Sequence, residues 1–137
     1  MNFDELKTPS RLAGELNRIG LEFQADFFAG VVERFPGNLE ALGELALHLT
    51  QLGRVEEGLA VDERLVRAAP EDPMVRYNLA CSLCLNGRLL EALDTLEEAA
   101  QLGYDDAAHM LLDEDLTALR KEQRFQRLAH RIANGTV

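Results

Sequence analysis

The sequence predicts an all-α protein in which helical hairpins stack into a solenoid. One segment repeats at a fixed period, and in each copy the apolar residues are spaced as on one face of a helix. Glycines and prolines stand where one helix must stop and the next begin. Because a single hairpin of this kind cannot bury its apolar face alone, stacked hairpins are expected to share one continuous core.

The period is visible in matched pairs of residues. Gly53 and Arg54 recur as Gly87 and Arg88, and 87 minus 53 gives a period of 34 residues. Further pairs at the same offset are Pro36 with Pro70, Leu45 with Leu79, Ala46 with Ala80, Leu49 with Leu83, Glu57 with Glu91 and Leu59 with Leu93. Matches at one fixed offset predict two copies of the same supersecondary unit.

Each unit is expected to hold two helices joined by a glycine turn. In the first unit, the first helix has its apolar face at Leu42, Leu45, Ala46 and Leu49 and ends at Gly53, and the second helix buries Val55, Leu59, Leu65 and Val66. Asp72 is placed to cap the next helix, with Pro73 at the first helical position. The second unit repeats the plan with Leu79, Ala80, Leu83, Gly87, Leu89, Leu93, Leu96 and Ala99.

Small residues stand where the two helices of a unit should cross. The first unit has Ala46 and Gly58 at these positions, and the second has Ala80 and Ala92. A glycine inside a helix costs about 1 kcal/mol relative to alanine. Gly58 therefore predicts a close approach of two helices that compensates for this cost.

A helix-turn-helix unit of this period resembles the tetratricopeptide repeat family. Residues 39–72 and 73–106 align with the family pattern as two full repeats, and Asp62, Arg76 and Tyr104 depart from it. The resemblance implies a right-handed solenoid in which the first helices of successive repeats line a concave face. It also implies that this face binds another protein or a peptide.

The flanking segments are expected to complete one domain over residues 1–137. Residues 9–38 are interpreted as a degenerate repeat or an N-terminal cap, with a first helix over Ser10 to Ile19 and Thr8 before Pro9 as its start. Phe28, Val31 and Pro36 fit the second helix of that repeat. Residues 107–137 are interpreted as a partial repeat from Ala107 to Leu112 and a capping helix from Glu122 to Ile132, an ending similar to that of many bacterial members of the family.

Charge and hydropathy exclude several function classes. The net charge of −10 argues against nucleic-acid binding, because a phosphate backbone requires a basic surface. From Ala118 onward the chain carries +4, which indicates either a solvated basic helix face or one that docks on an acidic neighbour. The polar, acidic start and the absence of a long apolar stretch predict a cytoplasmic protein that does not bind membranes.

No set of residues in the sequence indicates catalysis. Cys81 and Cys84 form a Cys-x-x-Cys in mid-helix, without the helix N-terminus that activates redox cysteines and without a second ligand pair for zinc. We interpret them as small apolar residues, with a metal or redox site as the less favoured alternative. His48, His109 and His130 are far apart in the sequence. We therefore expect a protein that is not an enzyme and has no cofactor and no metal.

The expected binding surface is a short, mostly apolar groove. The family alignment assigns to it Glu40, Gly43, Leu47, Thr50 and Gln51 from the first repeat, and Met74, Tyr77, Cys81, Cys84 and Leu85 from the second. All are expected to be exposed, with Tyr77 and Met74 as anchors, unless a terminal helix folds back into the groove. The charged clamp that some family members use for acidic C-terminal tails is not expected here.

The predicted function is a protein–protein interaction module that binds a helical or extended apolar peptide segment in this groove. One alternative is a self-associating assembly module, possible as a homodimer in which the basic C-terminal helix of one copy lies near the acidic body of another. A second alternative is a small acidic chaperone of the secretion type.

Overall fold

The chain forms a row of helices, described here for residues 9–137 in a computed structural model. The predicted all-α class is confirmed, and the described range contains no strand. The elements are α1 (Pro9–Arg34), α2 (Leu39–Gln51), α3 (Val55–Ala68), α4 (Pro73–Leu85), α5 (Leu89–Gln101), α6 (Ala107–Leu112), a 3-10 helix (Glu114–Leu119) and α7 (Gln123–Ala133). From α1 to α5, each helix packs on the next one in the chain. The predicted helix start at Thr8 lies outside the described residues.

The central four helices keep the spacing of the sequence repeat. Helices α2 and α4 begin at Leu39 and Pro73, and α3 and α5 begin at Val55 and Leu89, so each pair is offset by 34 residues. Gly53 and Gly87 follow α2 and α4 with φ of 78° and 76°, the left-handed conformation that ends a helix.

The predicted cap of α4 is also confirmed. The Asp72 carboxylate accepts hydrogen bonds from the backbone N–H groups of Met74 (2.9 Å) and Val75 (3.3 Å), and Pro73 opens the helix. Both interactions are local, so the sequence pattern is enough to set them.

The core consists of two neighbouring clusters. The N-terminal cluster joins α1, α2 and α3 around Leu42 and Leu45. The larger cluster joins α4, α5 and the C-terminal segment, with Ala80, Ala92, Met110, Leu116 and Leu119 fully buried. Alanines at the α4–α5 crossing let these helices pack closely, as the small residues of the sequence predict.

The N-terminal segment differs from its predicted helix-turn-helix. Helix α1 runs for 26 residues without interruption, where a helix over Ser10 to Ile19 followed by a turn and a second helix was expected. No proline occurs between Pro9 and Pro36, and Gly20 does not adopt a positive φ. Nothing local therefore stops the helix. From Ser10 to Gly20 every residue is exposed.

The C-terminal segment folds back over α4 and α5. The 3-10 helix packs against α4, and α7 packs against α5 and α6. Phe125, Leu128 and Ile132, which the sequence spaces as one apolar helix face, are buried in the larger cluster. The predicted helix over Glu122 to Ile132 is found at Gln123–Ala133.

Two arginines of α7 pair with acids of α5. Arg124 makes a two-bond contact with the carboxylate of Glu97 (3.1 and 3.0 Å) and a third bond to Asp94 (2.6 Å). Arg131 lies 3.5 Å from Glu97. The acidic neighbour that the charge of this helix suggests is thus present in the same chain.

In the described part of the chain, no helix combines the length and the apolar character that crossing a bilayer requires.

Candidate functional site

A groove of about 490 Å³ lies between α2 and α4. Gly43, Leu47 and Thr50 line it from α2, and Met74 and Tyr77 line it from α4. The segment that joins α6 to the 3-10 helix contributes further lining residues, so the C-terminal part of the chain forms part of the groove wall. Two helices that are one repeat apart therefore face each other across an open space.

The structure brings together part of the predicted groove. Six of the predicted residues line it, namely Gly43, Leu47, Thr50, Met74, Tyr77 and Cys81, while Glu40, Gln51, Cys84 and Leu85 do not. The expectation that all of them are exposed is wrong for Tyr77, Cys81 and Cys84, which are buried. The reason is tertiary: the 3-10 helix and the segment before it pack on this face of α4.

Tyr77 supports the C-terminal segment instead of standing free as an anchor. It is 1% exposed, its ring stacks on Tyr104 with 4.3 Å between centroids, and its hydroxyl donates to Asp113 Oδ2 at 2.7 Å. Burial is the main reason that the pKa of Tyr77 lies far above its ordinary value, and nearby Cys81 and Asp113 add to the shift. Tyr77 is therefore a neutral hydrogen-bond donor at neutral pH.

Asp113 is the centre of a polar cluster at the groove floor. Its Oδ2 accepts from Tyr77 and lies 3.6 Å from Cys81 Sγ and 3.4 Å from His109 Nε2. Its Oδ1 accepts from the backbone N–H of Asp115 at 3.0 Å. Neither Asp113 nor Asp115 was predicted as a site residue, because both follow Tyr77 by more than thirty residues and have no pattern that links them to α4.

Cys81 lacks the features of a reactive thiol. Burial first, and then the charges of Asp113 and Asp115, raise the pKa of Cys81 far above its ordinary range. The protonated thiol is a poor nucleophile and a poor metal ligand. The environment of Cys81 therefore favours its interpretation as a small buried residue.

Within residues 9–137, the side chains of Cys81, Asp113 and Asp115 lie close enough together to hold a cation. One ligand atom from each lies within 4.8 Å of the others, and Cys84 is not part of this group. Binding would require the thiol to lose its proton, which burial and the two carboxylates disfavour. The absence of a metal stays a prediction.

Asp62 is a second buried acid beside the groove. It lies on α3 and accepts a hydrogen bond from the Ser82 hydroxyl on α4. Burial raises the pKa of Asp62 to about 6, and the Ser82 hydrogen bond offsets part of that rise. The α3–α4 contact thus contains an acid that titrates above its ordinary range.

The groove as a whole has an apolar rim and an acidic floor. Leu47 and Met74 are each 50% exposed, one on either side. The described lining residues include four acids, Glu44, Asp62, Asp113 and Asp115, together with His109, and no Lys or Arg. This differs from the mostly apolar lining that was expected, because the acids come largely from α3 and from the C-terminal segment. Such a surface is suited to a ligand that is both apolar and cationic.

A comparison with curated proteins gives a partial similarity. No protein-family model matches the chain. The chain is similar to a chloroplastic protein of Arabidopsis thaliana, with 33% identity over 85 residues. The similarity covers 60% of this chain and 25% of that protein, so the chain spans about a quarter of that relative's length.

Proposed function

We propose that the chain is a protein-interaction module that binds a peptide segment of a partner protein in the groove between α2 and α4. The observation that carries this proposal is the pair Leu47 and Met74, two large apolar side chains that are half exposed and face one open groove. Large apolar side chains kept at a concave surface are typical of binding sites.

We infer that the architecture is a solenoid of the tetratricopeptide kind. The offset of 34 residues between the two helix pairs and the sequential packing from α1 to α5 support this inference. In such a solenoid α2 and α4 are the first helices of their repeats. The proposed groove is then the concave face, where the family binds its partners.

The proposed ligand combines an apolar side chain with a basic one. The apolar side chain packs between Leu47 and Met74, and the basic group pairs with the carboxylates of Asp113 and Asp115. The lining has no Lys or Arg, so no permanent cation of the groove neutralises these carboxylates, although Asp113 Oδ2 also accepts from Tyr77. Binding is expected to weaken at high salt, since part of it depends on charge.

A binding role also agrees with the chemistry of the groove better than catalysis does. The thiol of Cys81 is held protonated, and Asp113 is already engaged by neighbouring hydrogen-bond donors. Asp62, whose pKa is raised to about 6, is not free either, because it is 4% exposed and accepts a hydrogen bond from Ser82. Efficient general acid–base or nucleophilic catalysis requires a group that is free and poised near the working pH. We therefore propose that this protein is not an enzyme.

A displayed library of random peptides, selected against the immobilised full chain, tests the proposed function. Enriched peptides are expected to pair a Leu, Ile or Phe with a Lys or Arg. Synthetic copies should lose at least about tenfold in affinity, or about 1.4 kcal/mol, towards the Leu47→Asp and Met74→Asp variants.

The matched control is Leu90→Asp, an exposed leucine on α5 away from the groove. This variant should keep the affinity of the unmodified protein. Peptides that bind all three variants equally would place the binding surface elsewhere and refute the proposal.

A further inference from the structure

Helix α1 carries a second apolar face that no other helix of residues 9–137 covers. Five large side chains form this outer stripe, with 56–72% of each exposed: Leu12, Leu16, Ile19, Phe23 and Phe27. They are spaced by four, three, four and four residues. Exposed apolar patches of this length are uncommon on single chains and usually mark an interaction surface.

The outer stripe lies on the opposite side of α1 from the core. The side chains that α1 turns toward α2 include Ala25, Phe28 and Val32. At 100° per residue, the centre of the outer stripe is about 170° around the helix from the centre of this inner face. The stripe spans only about 80°, the narrow width of a seam between two helices.

We propose that the outer stripe binds the same stripe of a second copy of this chain, with the two α1 helices antiparallel. The residue numbers of facing partners then add up to 39: Leu12 faces Phe27, and Leu16 faces Phe23. Ile19 and Gly20 lie at the two-fold axis. Such a stripe is complementary to itself, as a two-fold symmetric interface requires.

Gly20 suits the crossing point of two helices. A methyl group added at Gly20 would meet no atom within 4 Å, so this part of α1 is open to an approaching helix. Glycine at a crossing lets two backbones come close. Because α1 is one long helix, the first helix of the expected N-terminal hairpin does not fold back onto the C-terminal half of α1. In the proposed dimer, the N-terminal half of α1 from the second copy would pack there instead.

The charge of α1 is compatible with this pairing. Helix α1 has three basic and four acidic residues, a net charge of −1, whereas the whole chain carries −10. Two copies therefore meet little charge repulsion at α1. Arg18 is already paired with Glu22 of the same helix, at 3.3 Å.

The exposed apolar area of the outer stripe is large enough for a small but specific dimer interface. Five large apolar side chains that are more than half exposed present on the order of 600 Å² per helix. Two copies would bury about 1,200 Å², the lower end of the range for specific interfaces. The interface uses no groove residue, so it is independent of the proposed peptide binding.

Sedimentation equilibrium of the full chain tests the proposal. The dimer is expected to become populated as the concentration increases to about 100 μM. Phe23→Glu should raise its dissociation constant by about tenfold or more, because a charge would enter the seam. Leu90→Glu, at an exposed leucine on α5, is the control and should leave the dimer unchanged. Circular dichroism must show the same helix content for all three proteins.

The dissociation constant of the dimer at high salt distinguishes an apolar interface on α1 from an ionic interface elsewhere. A dimer held by the outer stripe should persist or strengthen as salt increases, whereas a dimer held by the basic α7 should dissociate. A monomer at all concentrations, or a dimer that Phe23→Glu leaves intact, would overturn the proposal.

Cysteine cross-linking tests the antiparallel direction. A mixture of Leu12→Cys and Phe27→Cys chains should form the mixed disulfide in excess over either homodimer. The unmodified chain is the control, because its two cysteines are buried. A prevailing disulfide between two Leu12→Cys chains would show parallel helices and contradict the arrangement.

Discussion

Single residues that depart from the repeat pattern make specific contacts in the folded chain. Tyr104 stacks on Tyr77 and donates to the backbone of Asp106. Arg76 pairs with Glu98 at 2.9 Å and donates to the carbonyl of Pro70 at 2.8 Å. The Asp62 carboxylate accepts a hydrogen bond from the Ser82 hydroxyl. A departure from a sequence pattern therefore marks a tertiary contact in all three cases.

Asp62 should make stability depend on pH. Its pKa is about 6 in the folded protein and near 3.8 in the unfolded chain, so between these values only the folded state holds the proton. The contribution of Asp62 to the free energy of unfolding therefore falls by about 3 kcal/mol as pH rises from about 4 to about 6, and then stays constant.

Urea unfolding of Asp62→Asn between pH 4 and pH 8 checks this sign. The free energy of unfolding of the variant minus that of the unmodified protein should increase with pH and level off above about pH 6. Glu56→Gln, at an exposed acid on the same helix, is the control for the loss of one negative charge. A difference for Asp62→Asn that does not change with pH would show that this acid does not titrate with a raised pKa.

Tyr77 should contribute to stability through its ring and its hydroxyl separately. Tyr77→Phe removes the bond to Asp113 and should cost about 1–2 kcal/mol. Tyr77→Ala also removes the stack on Tyr104 and should cost about 3–5 kcal/mol. Denaturant titration measures both. Equal losses would mean that the ring contributes nothing.

At the scale of elements, α2 and α3 approach each other closely at Gly58. A methyl group built on Gly58 would lie 2.8 Å from Thr50 Oγ1 and 3.5 Å from the Ala46 carbonyl. In the second repeat the positions that correspond to Gly58 and Thr50 hold Ala92 and Cys84. Gly58 and Thr50 lie close together, so the effect of a substitution at one position depends on the residue at the other.

The effect of Gly58→Ala on stability should change sign when Thr50 is replaced. Alone it should destabilise the protein by about 1 kcal/mol, because Thr50 must leave its preferred rotamer. In a Thr50→Ala background, where the close contact is gone, it should stabilise by up to about 1 kcal/mol through helix propensity. A double-mutant cycle from urea unfolding measures the coupling. Additive effects would contradict the contact.

At the scale of the whole molecule, the C-terminal segment is part of the core. Phe125 of α7 and Leu116 of the 3-10 helix are fully buried in the same cluster as α4 and α5. Arg124 and Arg131 of α7 pair with partly exposed acids, and such pairs contribute little individually. Apolar burial is therefore the main force that holds this segment on the repeats.

Phe125→Ala should cost about 3–5 kcal/mol, because it leaves a cavity in the larger cluster. Phe35→Ala, at an exposed phenylalanine, should cost less than about 1 kcal/mol. Thermal unfolding followed by circular dichroism compares the two. A similar small loss in both variants would show that α7 is not needed for the stability of the repeats.

The repeat helices could be predicted well from the sequence, and the groove only in part. Helix stops at Gly53 and Gly87 and the cap at Asp72 depend on neighbouring residues, so they are visible in the sequence. The pairing of Tyr77 with Asp113 joins residues 36 positions apart. Nothing in the sequence gives the direction in which the C-terminal segment returns, so the burial of Tyr77 was not predicted.

The sequence by itself determined the all-α class, the 34-residue offset of the helix pairs and their boundaries, because periodicity, caps and glycine stops act within a few residues. Only the tertiary structure decided that α1 is one long helix with an open outer stripe. It also decided that the groove floor is acidic, because Asp62, Asp113 and Asp115 reach it from elements that are distant in sequence. The physical reason is that burial and charge at a site depend on every element that packs there.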